Sequence, residues 1–329
     1  MNRTMVEDAE LRLYSGIVLT KRELLSLAET DINDLTQAAN RVRAHFCGES
    51  VDFCAIVNAK SGRCSENCRY CAQSRFYQVK IDEYPLLSSE RIVEEALLHD
   101  RNGVGRFSIV TSGRKITPGE LIELCRIVET LKEKTSLSIC ASLGILSSKE
   151  LQMLKNAGLT RYHHNLETSR RFFASICSTH SYDDRLNTIA AAREAGLEIC
   201  SGGIIGLGET MEDRIDMAME LRDLEVGSIP INVLNPIAGT PLEHNAVLCR
   251  DEVRKTVALY RFILPSAQLR LAGGRVLFDD KGKLFFLAGA NAAITGSMLT
   301  TSGISIDEDR KMITELGLKV QHEQRHRNE

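Results

Sequence analysis

Three cysteines lie within a single short segment, spaced C-x3-C-x2-C as Cys64, Cys68 and Cys71. Thiolates bind soft metals such as zinc and the irons of iron–sulfur clusters, and a complete tetrahedral site wants four ligands. Three ligands on one loop would leave one iron of a cubane cluster free to bind an exchangeable molecule. Two other interpretations are half of a zinc site, completed by a distant Cys or His, and three unrelated thiols.

The segment resembles the cluster loop of the radical S-adenosylmethionine (SAM) superfamily, and Tyr70, directly before the third cysteine, also fits that loop. The resemblance implies a [4Fe–4S] cluster held by the three cysteines, with SAM bound to the open iron through its amino and carboxylate groups. It also implies that electron transfer to SAM releases a 5′-deoxyadenosyl radical, and it includes Tyr70 among the SAM-binding residues.

The bulk composition is that of a globular protein of 329 residues with 43% hydrophobic residues, enough for two ordinary domains or one α/β barrel. A net charge of −3 gives no sign that the chain binds nucleic acid or a membrane surface. No apolar run approaches the ~20 residues of a membrane span, and the polar start is not typical of a secretory signal. With ten cysteines, the chain is predicted to be cytoplasmic, with reduced thiols.

Short apolar strands alternate with amphipathic helices from residue 51 onward. Helix starts are marked by capping boxes, such as Thr117 with Glu120 and Thr20 with Glu23. The predicted strands are 51–57, 106–111, 137–141, 160–166, 197–201, 228–234, 268–271 and 284–287. Eight such units predict a closed (β/α)8 TIM-type barrel, with an open doubly wound sheet as the alternative. We therefore expect an N-terminal helical extension (1–50), the barrel (51–320) and a polar tail (321–329).

Polar side chains concentrate on one face of the fourth predicted strand. Residues two apart share a face of a strand, so His163, Asn165 and Glu167 point the same way. Leaving each buried and unpaired would cost roughly 1–3 kcal/mol. A polar ligand at the mouth of the barrel would supply partners, and a hydrogen-bonded structural network is the alternative.

Other strands carry single residues of interest. Cys140 and Cys200 would each be ordinary buried thiols if taken alone. Arg270 lies between two leucines inside a strand, and because arginine is almost never buried unpaired, it indicates an anionic or metal-linked site. The glycine-rich segment 202–208 allows close backbone approach to a flat or charged ligand.

Together with the cluster loop, further motifs resemble the biotin synthase family, whose radical SAM enzymes insert sulfur into dethiobiotin. The resemblance covers residues 20–318. Its most specific motifs are KSGRC at 60–64, YHHNLET at 162–168, CSGGIIGLGET at 200–210, IPIN at 229–232, GTPL at 239–242 and LAGAN at 287–291.

The resemblance implies roles for individual residues. Asn165 and Glu167 match positions that contact SAM and dethiobiotin, and Arg185 and Asn232 match further SAM- or substrate-contacting positions. A second, auxiliary cluster is implied at Cys140, Cys200 and Arg270; in the family it is a [2Fe–2S] centre thought to donate the sulfur. A homodimer and an electron donor of the flavodoxin or ferredoxin type are also implied.

The chain departs from the family pattern at the auxiliary site. The family has a third cysteine in an Arg-Phe-Cys context, where this chain has Ser108, and it usually has serine where this chain has Cys54. We hypothesise that Cys54 replaces the missing ligand and that the auxiliary cluster differs in geometry or iron count. The alternative is a packed thiol and a lost site. This chain also has Glu167 where the family usually has aspartate, and His163 where it has asparagine. Both changes keep a polar side chain and suggest altered spacing.

Two other functions are compatible with the cluster loop. One is a radical SAM enzyme of related architecture, such as a hydrogenase-maturation or methylornithine-forming enzyme. The other is a non-catalytic metal-binding protein or iron–sulfur carrier. The polar residues from Asn165 to Glu167, with Cys140, Cys200 and Arg270, favour sulfur insertion, because the related enzymes would not need all three of the latter. A carrier would leave the barrel and its inward polar residues without a purpose.

Overall fold

A closed barrel of parallel strands forms the centre of the computed structural model, which describes residues 4–321. Neighbouring strands pair in sequence order, and the last barrel strand pairs with the first to close the ring. This confirms the predicted barrel and excludes the open sheet. The strands are β1 (Ser50–Lys60), β2 (Arg106–Thr111), β3 (Ser138–Ser142), β4 (Arg161–His163), β5 (Glu198–Cys200) continued by β6 (Gly203–Ile205), β7 (Ser228–Val233), β8 (Gln268–Leu271) and β9 (Ala292–Ile294).

Helices surround the barrel, and the predicted capping boxes at Thr20 and Thr117 are formed, as is a further box at Thr210. Each box satisfies backbone N–H groups that the first helical turn leaves without partners. The helices are α1 (Met5–Tyr14), α2 (Lys21–Ala28), α3 (Ile32–Cys47), α4 (Ser89–Arg101), α5 (Pro118–Lys134), α6 (Ser148–Ala157), α7 (Arg170–Phe173), α8 (Tyr182–Glu194), α9 (Met211–Asp223), α10 (Arg250–Ile263), α11 (Lys283–Leu287) and α12 (Ile306–Glu315). Within residues 4–321, none of them is both long and apolar enough to cross a bilayer.

The two ends of the described chain pack against the barrel. Helix α3 packs on α10, and its buried Leu35 and Val42 belong to the same apolar core as the barrel side chains. At the other end, β10 (Lys319–Val320) pairs in parallel with the start of β1. The predicted polar tail lies outside the described residues, apart from Gln321.

The prediction of an eighth strand at 284–287 is wrong. That Leu-Phe-Phe-Leu segment forms α11 and buries Phe285 and Phe286 in the core, and the eighth barrel strand is β9. A short apolar run gives no periodicity that separates helix from strand. In the true strand, Ala292 pairs with both Asp52 and Arg270, so its small side chain lies beside their ion pair.

Candidate active site in the barrel cavity

The barrel encloses a cavity of about 340 Å³ that extends inward from the carboxyl ends of its strands. Enzymes with this architecture hold their active residues at that end. Ten of the residues singled out in the sequence as candidate site residues line it: Cys54, Tyr70, Cys71, Cys140, His163, Asn165, Glu167, Cys200, Asn232 and Arg270. Cys64, Cys68 and Arg185 do not line the cavity itself.

The loop after β1 folds into a compact turn around its three cysteines. Cys64 donates its N–H to the carbonyl of Gln73 at 2.9 Å and accepts from the N–H of Arg75 at 2.9 Å. Cys71 donates its N–H to the carbonyl of Cys68 at 3.0 Å, and its side chain reaches the cavity. Burial raises the pKa of the Cys71 thiol to about 11, so a bound cation is needed to hold it as a thiolate at neutral pH.

The three thiols of the loop suit a cluster better than a single ion. A tetrahedral zinc site with Zn–S bonds of about 2.3 Å brings its sulfur atoms to about 3.8 Å from one another. Within residues 4–321, Cys64, Cys68 and Cys71 do not bring all three Sγ atoms within even 4.8 Å of one another. Each thiolate of an iron–sulfur cluster binds a different iron, which allows the wider spacing.

Asn165 and Glu167 face the cavity, as expected, although the predicted strand 160–166 is too long: β4 ends at His163, and both residues lie in the segment beyond it. Asn165 donates through Nδ2 to Glu167 Oε2 at 3.2 Å and accepts from the Gly202 N–H at 3.1 Å. Glu167 has a φ of 72°, a conformation that side chains other than glycine's rarely adopt. Its N–H donates to the Gly202 carbonyl at 3.1 Å, and its carbonyl accepts from Ile204 at 2.8 Å, so the strained residue is held on both sides.

Gly202 and Gly203 make room for neighbouring strands. A Cβ on Gly202 would lie 2.0 Å from the Pro230 carbonyl oxygen, and one on Gly203 would lie 2.4 Å from the Glu167 carbonyl oxygen. At these two positions, therefore, the close approach expected from the glycine-rich segment is to the backbone of the barrel itself. Asn232 bridges the same region, donating to the Gly203 carbonyl at 3.0 Å and accepting from the Gly273 N–H at 2.9 Å.

Arg185 lies behind the polar residues, on the side away from the cavity. From α8 its Nη1 donates to the Asn165 carbonyl at 2.8 Å and lies 3.5 Å from Glu167 Oε1. Its guanidinium carbon lies 5.4 Å from the centre of the Phe173 ring. Arg185 is buried, and these contacts fix the two residues that do line the cavity.

Three buried thiols surround the deeper part of the cavity. Burial raises the pKa of Cys54 to about 12, although Arg270 acts in the opposite direction. Burial also acts to raise the pKa of Cys200, but His163, whose Nδ1 lies 3.3 Å from Cys200 Sγ, outweighs it together with Arg161 and Arg270, and the pKa falls to about 6. Within the described chain, Cys54, Cys140 and Cys200 do not converge within 4.8 Å either, so their positions do not match a single ion bound by all three.

Buried arginines make the same end of the cavity positive, and two of them were missed in the sequence. Asp52 is shared by Arg270, at 2.5 Å, and Arg106, at 3.3 Å. Arg161 pairs instead with Glu198, a carboxylate that is 59% exposed. Arg106 and Arg161, like Arg270, are charged residues within barrel strands, and that signal was available in the sequence. The excess of positive charge suits an anionic group such as an iron–sulfur cluster with thiolate ligands.

Comparison with known proteins places the chain in a family. The Radical SAM superfamily model matches residues 59–221, and the Biotin and Thiamin Synthesis associated domain matches residues 230–319. A biotin synthase of Clostridium botulinum strain Hall is 55% identical over 94% of this chain and 97% of the relative. Biotin synthases of Brachyspira hyodysenteriae, 53% identical over 96% and 95%, and Akkermansia muciniphila, 50% identical over 94% and 96%, are also similar.

Solved structures agree on the architecture. A methylornithine synthase matches with a TM-score of 0.82 over 97% of each chain at 19% identity. An FeFe-hydrogenase maturase from Carboxydothermus hydrogenoformans matches with a TM-score of 0.82 over 96% of this chain and 79% of the maturase, also at 19% identity. Identities this low show the shared fold alone, whereas the sequence relatives decide the family: the chain belongs to the biotin synthase family of radical SAM enzymes.

Proposed function

We propose that the chain catalyses radical SAM insertion of sulfur into dethiobiotin. The observation that carries this proposal is that one cavity has a different set of thiols at each end. Cys71 and Tyr70 of the cluster loop lie at its mouth, and Cys140 and Cys200 lie deeper, with Arg270 beside them. A substrate between them would lie within reach of both sets while the barrel wall excludes water.

The residues present would hold two clusters. Cys64, Cys68 and Cys71 would hold a [4Fe–4S] cluster with SAM on its open iron. Cofactor chemistry is needed because no side chain deprotonates an unactivated carbon at neutral pH; SAM bound to the first cluster would supply a hydrogen-abstracting radical and the auxiliary cluster would supply sulfur. The protein's own contribution is to hold, orient and shield the reactants.

Polar residues at the mouth would orient SAM and dethiobiotin. Asn165 and Glu167 line the cavity and are fixed by backbone partners, so they present oxygen and nitrogen atoms at set positions. Tyr70 would flank SAM, and Asn232, which bonds to Gly203 on the same side of the cavity, would contact dethiobiotin. Arg185 would act on SAM through Asn165 and Glu167, since it contacts both from behind.

Four residues would hold the auxiliary cluster, whose type we leave open: Cys54, Cys140, Cys200 and Arg270. Cys54 is 6% exposed and lines the cavity, and Arg270 acts to lower its pKa. These features support Cys54 as the replacement for the cysteine missing at position 108. Serine is a poorer ligand for iron than thiolate, so Ser108 alone would not complete the set.

A basic surface surrounds the cluster loop, and we propose that it binds the electron donor. We call the exposed residues Arg63, Arg69, Arg75, Arg114 and Lys115 the basic face. Arg63, Arg114 and Lys115 each lie within 4 Å of a carboxylate, whereas Arg69 and Arg75 have no such ion pair among the described residues, so the uncompensated charge of the face is on these two. It suits an acidic donor of the flavodoxin or ferredoxin type. From the family we also propose a cytoplasmic homodimer, which sedimentation velocity and cell fractionation would test.

An anaerobic assay tests the function. Reconstituted protein is mixed with a reductant, SAM and dethiobiotin, and both 5′-deoxyadenosine and biotin are measured by mass spectrometry. We expect both products from the wild type and neither from Cys71→Ala, with Cys125→Ala, a half-buried thiol on α5, as the matched control. Deoxyadenosine without biotin would point to another substrate or a missing auxiliary cluster. Neither product, from protein carrying its [4Fe–4S] cluster, would refute the proposal.

A further inference from the structure

Cys177 and His180 lie beside the cluster loop, although they are far from it in the sequence. The Sγ atom of Cys177 lies 3.8 Å from Cys68 Sγ, and the two residues are 109 positions apart. The same sulfur lies 3.3 Å from Nδ1 and 3.9 Å from Nε2 of His180. Within residues 4–321, these three residues are the ones whose possible metal-ligand atoms all lie within 4.8 Å of one another.

The distances are those of a tetrahedral metal site. With Zn–S bonds of about 2.3 Å and Zn–N bonds of about 2.0–2.1 Å, two thiolates lie about 3.8 Å apart, and a thiolate and an imidazole nitrogen lie about 3.5 Å apart. The Cys68–Cys177 distance matches the first value, and the distance of 3.9 Å from Cys177 Sγ to His180 Nε2 is slightly longer than the second. Only small side-chain adjustments would be needed to bind an ion.

A carboxylate orients the histidine. His180 donates through Nδ1 to Glu66 Oε2, which also accepts from the Thr179 hydroxyl at 2.7 Å. Metal-binding histidines commonly donate one ring N–H to a carboxylate, which leaves the other nitrogen free to bind the metal. Here that nitrogen would be Nε2. Glu66 is itself buried, so this supporting contact is shielded from solvent.

Backbone hydrogen bonds hold the two segments together. The Arg69 N–H donates to the Ile176 carbonyl at 2.9 Å, on one side of Cys177. On the other side, the Ser178 N–H donates to Asn67 Oδ1 at 3.0 Å, and the Asn67 N–H donates to Thr179 Oγ1 at 3.1 Å. Because Asn67 and Arg69 flank Cys68, these bonds set the distance between the two thiols.

We propose that the cluster-free chain binds one soft divalent ion, of the zinc type, through Cys68, Cys177 and His180, with water in the fourth position. Cys64 and Cys71 take no part. This metal site stands on the geometry alone. Its consequence rests on the proposed function: because Cys68 would also hold the [4Fe–4S] cluster, the ion and the cluster exclude each other, and bound zinc blocks cluster assembly.

Cobalt binding tests the site directly. Cluster-free, full-length protein is titrated anaerobically with Co²⁺, whose intense visible absorption reports tetrahedral thiolate binding, and X-ray absorption counts its sulfur and nitrogen ligands. We expect two sulfurs and at least one nitrogen in the wild type and in Cys64→Ser, and at least tenfold weaker binding in Cys177→Ser and Cys177→Ala. The variants are compared only where circular dichroism matches the wild type. Binding lost in Cys64→Ser but kept in both Cys177 variants would overturn the proposal.

Zinc competition tests the consequence. Cluster reconstitution is followed by iron and sulfide content, with and without one equivalent of Zn²⁺. We expect zinc to lower the cluster content of the wild type several-fold and to leave Cys177→Ser largely unaffected; equal inhibition of both would refute the shared use of Cys68. A wild type that assembles no cluster even without zinc would count against the proposed function, while the cobalt titration still decides the metal site.

Discussion

Ser108 and Cys140 are direct neighbours in the pairing of β2 with β3, and both side chains enter the cavity. The expected third cysteine of the auxiliary site would therefore lie beside Cys140. Cys54 also enters the cavity, but it pairs with Arg106, two residues earlier on β2 than Ser108. Moving a thiol from position 108 to position 54 would thus shift one ligand to the neighbouring strand and further from the mouth.

Removing Cys54 is predicted to deplete the auxiliary cluster. Cys54→Ser should lose most of the auxiliary iron and keep the [4Fe–4S] cluster, because the loop cysteines are on a separate segment. Cys54→Ser/Ser108→Cys should regain auxiliary iron, since it restores a thiol at the position that the family uses. Iron and sulfide analysis with Mössbauer spectroscopy measures both. Cys125→Ala is the control, and full auxiliary iron in Cys54→Ser would show that Cys54 is only a packed thiol.

Replacing Arg185 is predicted to weaken SAM binding. Arg185→Met loses the bond to the Asn165 carbonyl and the ion pair with Glu167, freeing two residues that line the cavity. Hydrogen bonds from charged groups contribute about 1.5–3 kcal/mol, so we expect the KM for SAM to rise about tenfold or more.

The control for Arg185 lies on the same helix. Arg193 has a 43% exposed side chain near the end of α8, and Arg193→Met should leave the KM for SAM unchanged. Deoxyadenosine formation at varied SAM concentration measures both variants at equal cluster content. An unchanged KM in Arg185→Met would mean that Asn165 and Glu167 keep their positions without it.

Reversing charge on the basic face is predicted to weaken reduction by the protein donor. Arg69→Glu/Arg75→Glu should raise the donor concentration needed for half-maximal rate about tenfold at low salt, and added salt should shrink the difference because it screens exposed charges. The rate with a small chemical reductant should not change.

A matched double variant carries the same charge change at the other end of the barrel. Arg101 and Lys134 are exposed at the carboxyl ends of α4 and α5, away from the cluster loop. Arg101→Glu/Lys134→Glu should leave the donor dependence as it is in the wild type. Equal effects of the two double variants would show that overall charge, and not the basic face, governs the encounter.

Local sequence signals predicted most of the barrel, but they could not predict contacts between segments that are distant in the sequence. Capping boxes predicted the helix starts. His163, Asn165 and Glu167 all line the cavity as expected, but only His163 lies in a strand, and the bonds of Asn165 and Glu167 to Gly202 place the other two. The alanine-rich β9 was missed because the pairing that identifies it, of Ala292 with Asp52 and Arg270, is made with neighbouring strands. Similarly, nothing local places Cys177 against Cys68, since the contact joins segments 109 residues apart.

Asp213 is predicted to make the segment that carries Glu167 sensitive to acid. Its side chain is fully buried and accepts from Ser169 Oγ at 2.6 Å and from the Thr210 N–H at 2.9 Å, and it pairs with Arg171. Burial acts to raise the pKa of Asp213, but these bonds outweigh it, so the pKa lies below its usual value of 3.8. The stabilisation is therefore fully present above about pH 4 and is lost as pH falls through the folded-state pKa.

Urea unfolding of cluster-free protein between pH 6 and pH 3 measures the effect. At pH 6, Asp213→Asn should unfold with a free energy about 1–3 kcal/mol below that of the wild type. The gap should narrow towards pH 3, because the carboxylate of the unfolded wild type takes up a proton at higher pH than that of the folded protein. Asp223→Asn, an exposed carboxylate at the end of the same helix, should change the unfolding free energy by less than about 0.5 kcal/mol at either pH. A gap that stays constant with pH would mean that Asp213 contributes through its shape and neutral hydrogen bonds. Because Ser169 follows Glu167 by two residues, a narrowing gap would tie the acid stability of the chain to the segment that lines the cavity.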